Sequence, residues 1–140
     1  MSTRCVIAAP TPDGAGWAGR YCHYDGNPST TGRILHRYLT VHPAVAVRAY
    51  LIHDHHDWTA LADSDDMTAS TLGPGDGDPN AWITHDGDRW ATQWAYILGD
   101  DHLTITHHPG HGSWVHVADI AHTAHITDAD WTRLDHAAQP

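Results

Sequence analysis

The sequence contains no lysine, no glutamate and no phenylalanine. Its seven cationic side chains are therefore all arginines, its seventeen carboxylates are all aspartates, and seven tryptophans supply much of the large aromatic bulk. Substitution of this kind throughout a chain indicates a coding bias toward GC-rich codons. The same bias explains many of the fifteen histidines as polar surface residues, an interpretation that competes with a dedicated metal-binding role.

Long apolar runs and excess positive charge are also missing, and cysteine is scarce. Cys5 and Cys22 are too few for a disulfide framework and lack zinc-type spacing, so we expect reduced thiols. No apolar run reaches the roughly 18 residues of a membrane span, and the N-terminus lacks a signal-peptide core. These absences predict a cytoplasmic protein without a membrane partner. A formal net charge of −10 repels nucleic acid, which is therefore not expected as a direct partner.

The strand pattern divides between the two ends of the chain. A length of 140 residues predicts one domain spanning the whole chain. Near the N-terminus, residues 5–9 and 17–24 flank a turn dense in Pro and Gly, which predicts a β-hairpin. In the second half, alternating apolar residues predict a β-meander whose strands are residues 81–84, 90–98, 102–107 and 113–117.

Helices are expected between these strand regions and at the C-terminus. Apolar residues at helical spacing over 34–39 indicate a first helix, and Pro43 is suited to open a second that ends around residues 52–55. Thr127, with Asp130 three residues later, resembles a capping box and predicts a short C-terminal helix.

The predicted fold is α+β. An antiparallel sheet is built from the N-terminal hairpin and the C-terminal meander, with the two central helices packed on one face and the short helix at the end. Residues 62–80 are rich in Asp, Gly and Pro and predict a flexible acidic surface loop.

A ligand site is predicted around the end of the second strand, because Arg and aromatic residues cluster there. A guanidinium fork with stacking rings suits a nucleotide or another planar anion. Plain packing of the aromatic residues is the competing interpretation. The predicted ligand-binding residues are Arg20, Tyr21, His23, Tyr24, Asp25, Arg33 and Trp58.

The same region carries the residues of a metal-site hypothesis. Imidazole and carboxylate groups at the ends of a strand and a helix could share a divalent metal, and the candidates are His23, Asp25, His55 and Asp57. No recognised metal-binding spacing occurs, and these groups could equally hold turns and helix ends. A weaker hypothesis of the same kind concerns residues 107–116, where four further histidines lie.

Three segments resemble a family of small uncharacterised proteins of actinobacteria and their phages. They are residues 3–8 (T-R-C-V-I-A), 19–28 (G-R-Y-C-H-Y-D-G-N-P) and 54–58 (D-H-H-D-W). The family pattern is T-R-x-V-I-A, G-R-Y-x-H-x-D-G-x-P and D-H-x-x-W, so the resemblance covers about the first 60 residues. It implies no activity or cofactor. For a phage-encoded member it implies an accessory role acting on a host system.

Three functional hypotheses follow. Because no catalytic motif is present, the leading one is a non-enzymatic accessory protein that captures a small anionic, nucleotide-like ligand or a host protein partner. The alternative is a metal-dependent hydrolase or metal-binding protein that uses the His and Asp cluster. The second alternative is an acidic mimic of nucleic acid. The sequence leaves open whether the chain forms a homo-oligomer.

Overall fold

The computed structural model describes residues 3–69, 74–75 and 77–137. Its strands are β1 (Cys5–Pro10), β2 (Trp17–Cys22), β3 (Asp57–Trp58), β4 (Ile83–Thr84), β5 (Trp94–Leu98), β6 (His102–His107) and β7 (Val115–Ala121). Its α-helices are α1 (Arg33–Val41), α2 (Ala44–Arg48) and α3 (Asp128–His136). Two π-helical segments, Pro28–Gly32 and Ala49–His53, adjoin α1 and α2, and a short 3-10 turn covers Met67–Ala69.

All seven strands belong to one sheet, with the order β3-β2-β1-β5-β6-β7 and with β4 also paired to β2. The predicted hairpin is present as the antiparallel β1–β2 pair, and β5, β6 and β7 form the last three strands of the predicted meander. Its expected first strand, residues 81–84, is not part of the meander, because β4 pairs with β2 instead. The expectation of a purely antiparallel sheet is wrong, because β1 pairs with β5 in parallel and β2 pairs with β3 in parallel. Both parallel strands follow connections long enough to cross back over the sheet, which hairpin turns cannot do.

Alternation along β1 divides the core between the two faces of the sheet. Cys5 and Ile7 lie on the helix face, where they join the main core with residues such as Tyr38 and Leu51. Side chains on the opposite face, called the back face here, form a smaller cluster that includes Val6 and is completed by Ala8, Trp17, Ile83, Ala95 and Ile97. Successive strand residues point to opposite faces, so the central strands β1, β2 and β5 contribute to both clusters.

The central helices agree with the sequence pattern. Ile34, Leu35, Tyr38 and Leu39 are all buried, and α2 follows directly after Pro43. A π-helical segment extends α1 at its start and another extends α2 at its end. The first helical region therefore begins at Pro28, and the second ends at His53. Within the described ranges, no helix has the length and apolar character needed to cross a membrane.

The fifth strand is shorter than the sequence predicts. It begins at Trp94 rather than at residue 90, because Trp90 and Ala91 have φ values of 54° and 59°. This left-handed conformation is incompatible with a strand and unfavourable for residues that carry a Cβ. Residues 89–92 therefore form a turn before the strand starts.

Residues 70–73 and 76 of the predicted flexible loop lie outside the described residues. The remainder of that loop contacts the rest of the protein at several points. Tyr38 Oη donates to Ala62 O over 2.5 Å, and Gly75 N donates to Asp57 O over 3.0 Å. Flexibility of the 62–80 segment stays a prediction.

The two cysteines face each other across the first hairpin. Cys5 is the register partner of Cys22, and both are fully buried with free thiols. Burial, and then the hydrogen bond with Cys22, raises the pKa of the Cys5 thiol. The pair thus packs as two small apolar groups in the helix-face core.

Helix α3 begins with the predicted capping box. Thr127 Oγ1 accepts from Asp130 N over 3.2 Å, and the Asp130 carboxylate accepts from Thr127 N over 3.1 Å. Trp131, one residue later, is buried in the main core. The cap therefore fixes the helix start that inserts this indole.

Replacing the capping hydroxyl tests this arrangement. We expect Thr127→Ala to lower the free energy of unfolding by about 1 kcal/mol, because the N–H of Asp130 loses its acceptor. Urea denaturation followed by tryptophan fluorescence measures the change. Thr123→Ala, at an exposed turn residue, is the matched control and should change stability by less than about 0.5 kcal/mol. Equal effects of the two substitutions would contradict the capping role.

Candidate anion-binding site

Arg20 is one of the two arginines of the predicted ligand site, and its side chain lies inside the protein. The residue is 3% exposed on the helix face of β2. Its Nε donates to Ile52 O over 2.8 Å, and its Nη1 donates to Pro79 O and Ala81 O over 3.1 and 2.9 Å. The guanidinium thus joins β2 to the end of the second helical segment and to the chain before β4.

A ring completes the surroundings of this guanidinium. The Arg20 Cζ atom lies 3.5 Å from the centroid of the Trp82 ring, which is cation–π geometry. Burial lowers the pKa of Arg20, and the negative charge of Asp78 partly offsets that effect. These contacts give Arg20 a structural role as a clamp between three segments.

The neighbouring predicted residues form a small aromatic stack beyond the end of β2. A hydrogen bond of 2.8 Å joins Tyr21 Oη to His23 Nδ1, and the His23 and Tyr24 rings lie 4.4 Å apart. Asp25 has a φ of 57°, and its backbone carbonyl accepts from the hydroxyl of Thr31 over 2.6 Å. The Asp25 turn is thereby attached to the π-helical segment that follows it.

Arg33 and Trp58 are also engaged within the protein. Arg33 Nη2 forms an ion pair of 3.0 Å with Asp63, and the indole Nε1 of Trp58 donates to Leu51 O over 2.9 Å. Trp58 is 2% exposed, so its ring belongs to the core.

The four candidate metal ligands do not converge. His55 Nδ1 donates to Tyr50 O over 2.8 Å, and the Asp57 carboxylate accepts from Gly77 N over 3.2 Å. Across residues 3–69, 74–75 and 77–137, no three His, Cys, Asp or Glu side chains form a group suited to a metal ion. This statement covers His23 and Asp25, and also the histidines of residues 107–116.

A different cluster lies at the back face, where two adjoining cavities form a groove. The smaller cavity, called the cationic pocket here, has a volume of about 530 Å³ and is lined by Arg4, Arg89, Ala91, Gln93, His107, His108, Pro109 and Gly110. The larger, called the tryptophan pocket, has a volume of about 820 Å³ and shares the walls Arg89 and His108. Within the part of the chain that the structure describes, no carboxylate lines the cationic pocket.

Arg4 reaches the groove because of the parallel pairing of β1 with β5. Gln93 N donates to Arg4 O over 2.8 Å, which extends that ladder by one residue beyond Cys5. Alternation then directs Arg4 to the back face, as for Val6. The Arg4 Nε atom is enclosed and has no hydrogen-bond partner among the described residues.

Arg89 is held by the left-handed turn before β5. Its Nη1 donates to Thr92 O, and its own carbonyl accepts from both the amide and the hydroxyl of Thr92 over 3.0 and 2.5 Å. Trp90 and Ala91 bridge these two residues in the unfavourable conformation described above. Backbone strain of this kind is concentrated at functional sites. The turn fixes Arg89 at the junction of the two cavities.

His108 closes the groove from the β6–β7 hairpin in its neutral form. Gly110 N donates to His108 Nδ1 over 3.0 Å, so Nε2 carries the proton and donates to Gly112 O over 3.1 Å. Burial, followed by the charge of Arg89, lowers the pKa of His108. Burial, followed by His108, lowers the pKa of His107. These pKa changes reflect a partly desolvated pocket that already contains positive charge.

The arginines of the cationic pocket differ from the others in their partners. Those in ion pairs with aspartates are Arg33, Arg37, Arg48 and Arg133. The guanidinium group of Arg20 instead donates hydrogen bonds to carbonyl groups and packs on an aromatic ring. Arg4 and Arg89 have no carboxylate within ion-pair distance among the described residues, although aspartates outnumber arginines seventeen to seven. The pocket therefore offers two guanidinium groups to an external anion.

Sequence reasoning missed both residues of this pair. Arg4 precedes an apolar strand and has no cationic neighbour nearby in the chain. Arg89 directly follows Asp88, so its local charge looks balanced. In the structure, however, the Asp88 carboxylate accepts from Trp90 N over 2.8 Å and forms no ion pair with Arg89. The remoteness of Arg4 from any aspartate in the sequence was the one available signal.

The structural role of Arg20 is testable by stability. Arg20→Met should lower the free energy of unfolding by about 2–4 kcal/mol, because it leaves carbonyl groups without their buried donor. Arg37→Met is the matched control. Its 40% exposed side chain forms surface ion pairs, whose loss should cost less than about 1 kcal/mol. Guanidinium denaturation measures the free energy of unfolding of both variants. An Arg20→Met protein as stable as the Arg37→Met control would contradict the structural role of Arg20.

Comparison of the chain with protein-family models, with curated proteins and with solved structures found no match.

Proposed function

We propose that this protein is a non-enzymatic binding protein that captures a small anionic ligand in the back-face groove. The observation that carries the proposal is the pairing of Arg4 with Arg89 in one cavity without a carboxylate. An acidic chain has aspartates available to neutralise each of its arginines. Leaving two guanidinium groups together is electrostatically unfavourable until an anion joins them.

The chemistry of the two side chains favours an oxyanion. A guanidinium group presents planar donors that match carboxylate, sulfate or phosphate oxygens in pairs. The exposed amide of Gln93 lies on the same wall and offers an additional N–H donor. Such a site resembles the few placed polar groups found in small-ligand pockets.

Binding without turnover is supported by the groups that surround the groove. A nucleophile needs a base within hydrogen-bond reach to be activated. Ser113 lines the tryptophan pocket, but none of the hydrogen bonds among the described residues joins its hydroxyl to a histidine. His116 instead contacts Asp119 over 3.0 Å at the exposed surface.

Sulfate is a suitable first probe, and titration calorimetry at constant ionic strength is the measurement. We expect a dissociation constant on the order of 1 mM, which corresponds to about 4 kcal/mol. Arg4→Gln and Arg89→Gln should each weaken binding about tenfold, because each removes a charged donor.

Arg133→Gln is the control for that experiment. It removes the same charge from an exposed ion pair on α3, away from the groove, and should leave sulfate binding within about twofold. Equal weakening in the control and in the groove variants would show nonspecific electrostatic attraction, which contradicts the proposal. So would the absence of sulfate binding to the unmodified protein.

Sulfate binding should strengthen as the pH falls from 8 to 5.5. The lowered pKa of His107 means that the folded protein holds fewer protons than the unfolded chain as pH falls through about 6.5. The His107 ring packs against Trp94 on the helix-face side, with the ring centroids 4.6 Å apart. The charged and titratable groups that line the two cavities beside it are Arg4, Arg89 and His108, with Asp135 and His136 from α3. An anion in the pocket favours the protonated imidazole, so binding takes up a proton.

We expect about fivefold tighter sulfate binding at pH 5.5 than at pH 8, since protonation of His107 adds one positive charge beside the pocket. Sulfate keeps both of its charges over this range, so the ligand itself does not titrate. The variant His107→Gln isolates the effect from the other fourteen histidines, and most of the gain should disappear in it. An unchanged pH dependence in this variant would assign the effect to net charge.

A further inference from the structure

The tryptophan pocket continues directly from the cationic pocket. Both are bounded by Arg89 and His108, so a ligand whose anion lies between the arginines has space to extend past these two residues. The volumes, about 820 and 530 Å³, fall in the range of pockets that hold small organic molecules. An inorganic anion would occupy only a small part of this groove.

Trp114 is the main apolar surface of the larger cavity. The centroid of its ring lies 5.3 Å from the centroid of the Trp17 ring, with an angle of 74° between the ring planes. The centroid of the His108 ring lies 5.1 Å away, with an angle of 84° between the planes. These near-perpendicular contacts hold the indole in place, while the residue stays only partly buried. Trp17 is 8% exposed and already belongs to the back-face core. Trp114 is therefore the ring that a planar ligand can contact.

The two cavities of the groove differ in charge. Arg4 lines the cationic pocket, and Asp86 lies in the wall of the tryptophan pocket. The Asp86 carboxylate accepts from the hydroxyl of Thr84 over 3.0 Å and keeps further acceptor capacity. It repels an anion and attracts an N–H donor. A ligand that fits both cavities places its negative charge in the cationic pocket and N–H groups in the tryptophan pocket.

Resting on the anion site of the proposed function, we infer that the ligand is a nucleoside monophosphate. Its phosphate lies at Arg4 and Arg89, and its base lies against Trp114. Stacking on an indole accepts any base, because every base has a π-face. The amino groups of adenine, guanine and cytosine are donors of the kind that a carboxylate accepts. The combination of an aromatic ring, an N–H edge and a phosphate matches the groups that line the two cavities.

Titration calorimetry with a graded ligand set tests the inference. The ligands are sulfate, ribose 5-phosphate, adenosine, and the monophosphates of adenosine, guanosine, cytidine and uridine. Ribose 5-phosphate has the sugar and phosphate without a base, and adenosine has the base without the phosphate. We expect the adenosine, guanosine and cytidine monophosphates to bind at least tenfold more tightly than ribose 5-phosphate, and adenosine to bind most weakly of the organic ligands.

The possible results distinguish a failure of the nucleotide assignment from a failure of the anion site. If sulfate and ribose 5-phosphate bind but the nucleotides bind no better than ribose 5-phosphate, the anion site stands and the nucleotide assignment is overturned. If none of the phosphates and sulfate binds, both proposals fail. Nucleotide binding that survives Arg4→Gln and Arg89→Gln unchanged places the ligand elsewhere and also overturns the inference.

Substitution of Trp114 supplies the second test. Trp114→Leu should reduce the affinity for adenosine monophosphate about tenfold, to the level of ribose 5-phosphate, while sulfate binding changes by less than twofold. Trp114→Phe keeps a flat ring and should recover most of the loss. Retained sulfate binding shows that the Leu variant is folded. Equal nucleotide affinity in the Leu and Phe variants would exclude stacking at this position.

Discussion

The side-chain alternation of β1 is the constraint on which the rest of the structure depends. This strand lies between β2 and β5, so its first four residues, from Cys5 to Ala8, have a paired neighbour on each side. Its odd-numbered side chains fill the core beneath the helices, and its even-numbered ones form the floor of the back face. Extending the same alternation by one residue places Arg4 in the groove. A one-residue slip in register would exchange the two faces and bury that guanidinium against the helices.

Local patterns in the sequence were sufficient to predict most of the strands and helices. The first hairpin, the apolar stripe of α1, the start of α2 after Pro43 and the capping box of α3 each depend on neighbours within a few residues. The parallel pairing of β1 with β5 joins segments almost ninety positions apart, and no local pattern encodes it. The start of β5 was misplaced for a related reason. An apolar, aromatic run predicts a strand, and only the fold forces Trp90 and Ala91 into a turn.

The candidate site was harder to predict, because its residues come from three separate stretches of the chain. Arg4, Arg89, His108 and Trp114 meet only once the sheet has formed and the β6–β7 hairpin has folded over the back face. The sequence instead drew attention to Arg20, where cations and rings are neighbours along the chain. In the folded protein Arg20 has its donors taken up by carbonyls, whereas the two arginines of the groove lack carboxylate partners among the described residues. Residues that are close together in the sequence therefore indicated a structural clamp. The groove was found from the arginines that lack carboxylate partners in the folded protein.

The opposed thiols of Cys5 and Cys22 have a consequence for how the protein's motions can be observed. Alkylating reagents attack the thiolate, and both sulfurs are sealed between the first hairpin and the helices. A reagent reaches them only when the strand pair and the helical layer separate, which is an opening of the main core rather than of a surface loop. Since the groove lies on the other side of the sheet, its ligand does not touch these sulfurs. The rate at which the two thiols are labelled therefore measures how often the main core opens cooperatively. A groove ligand that slows this labelling does so by stabilising the closed sheet as a whole.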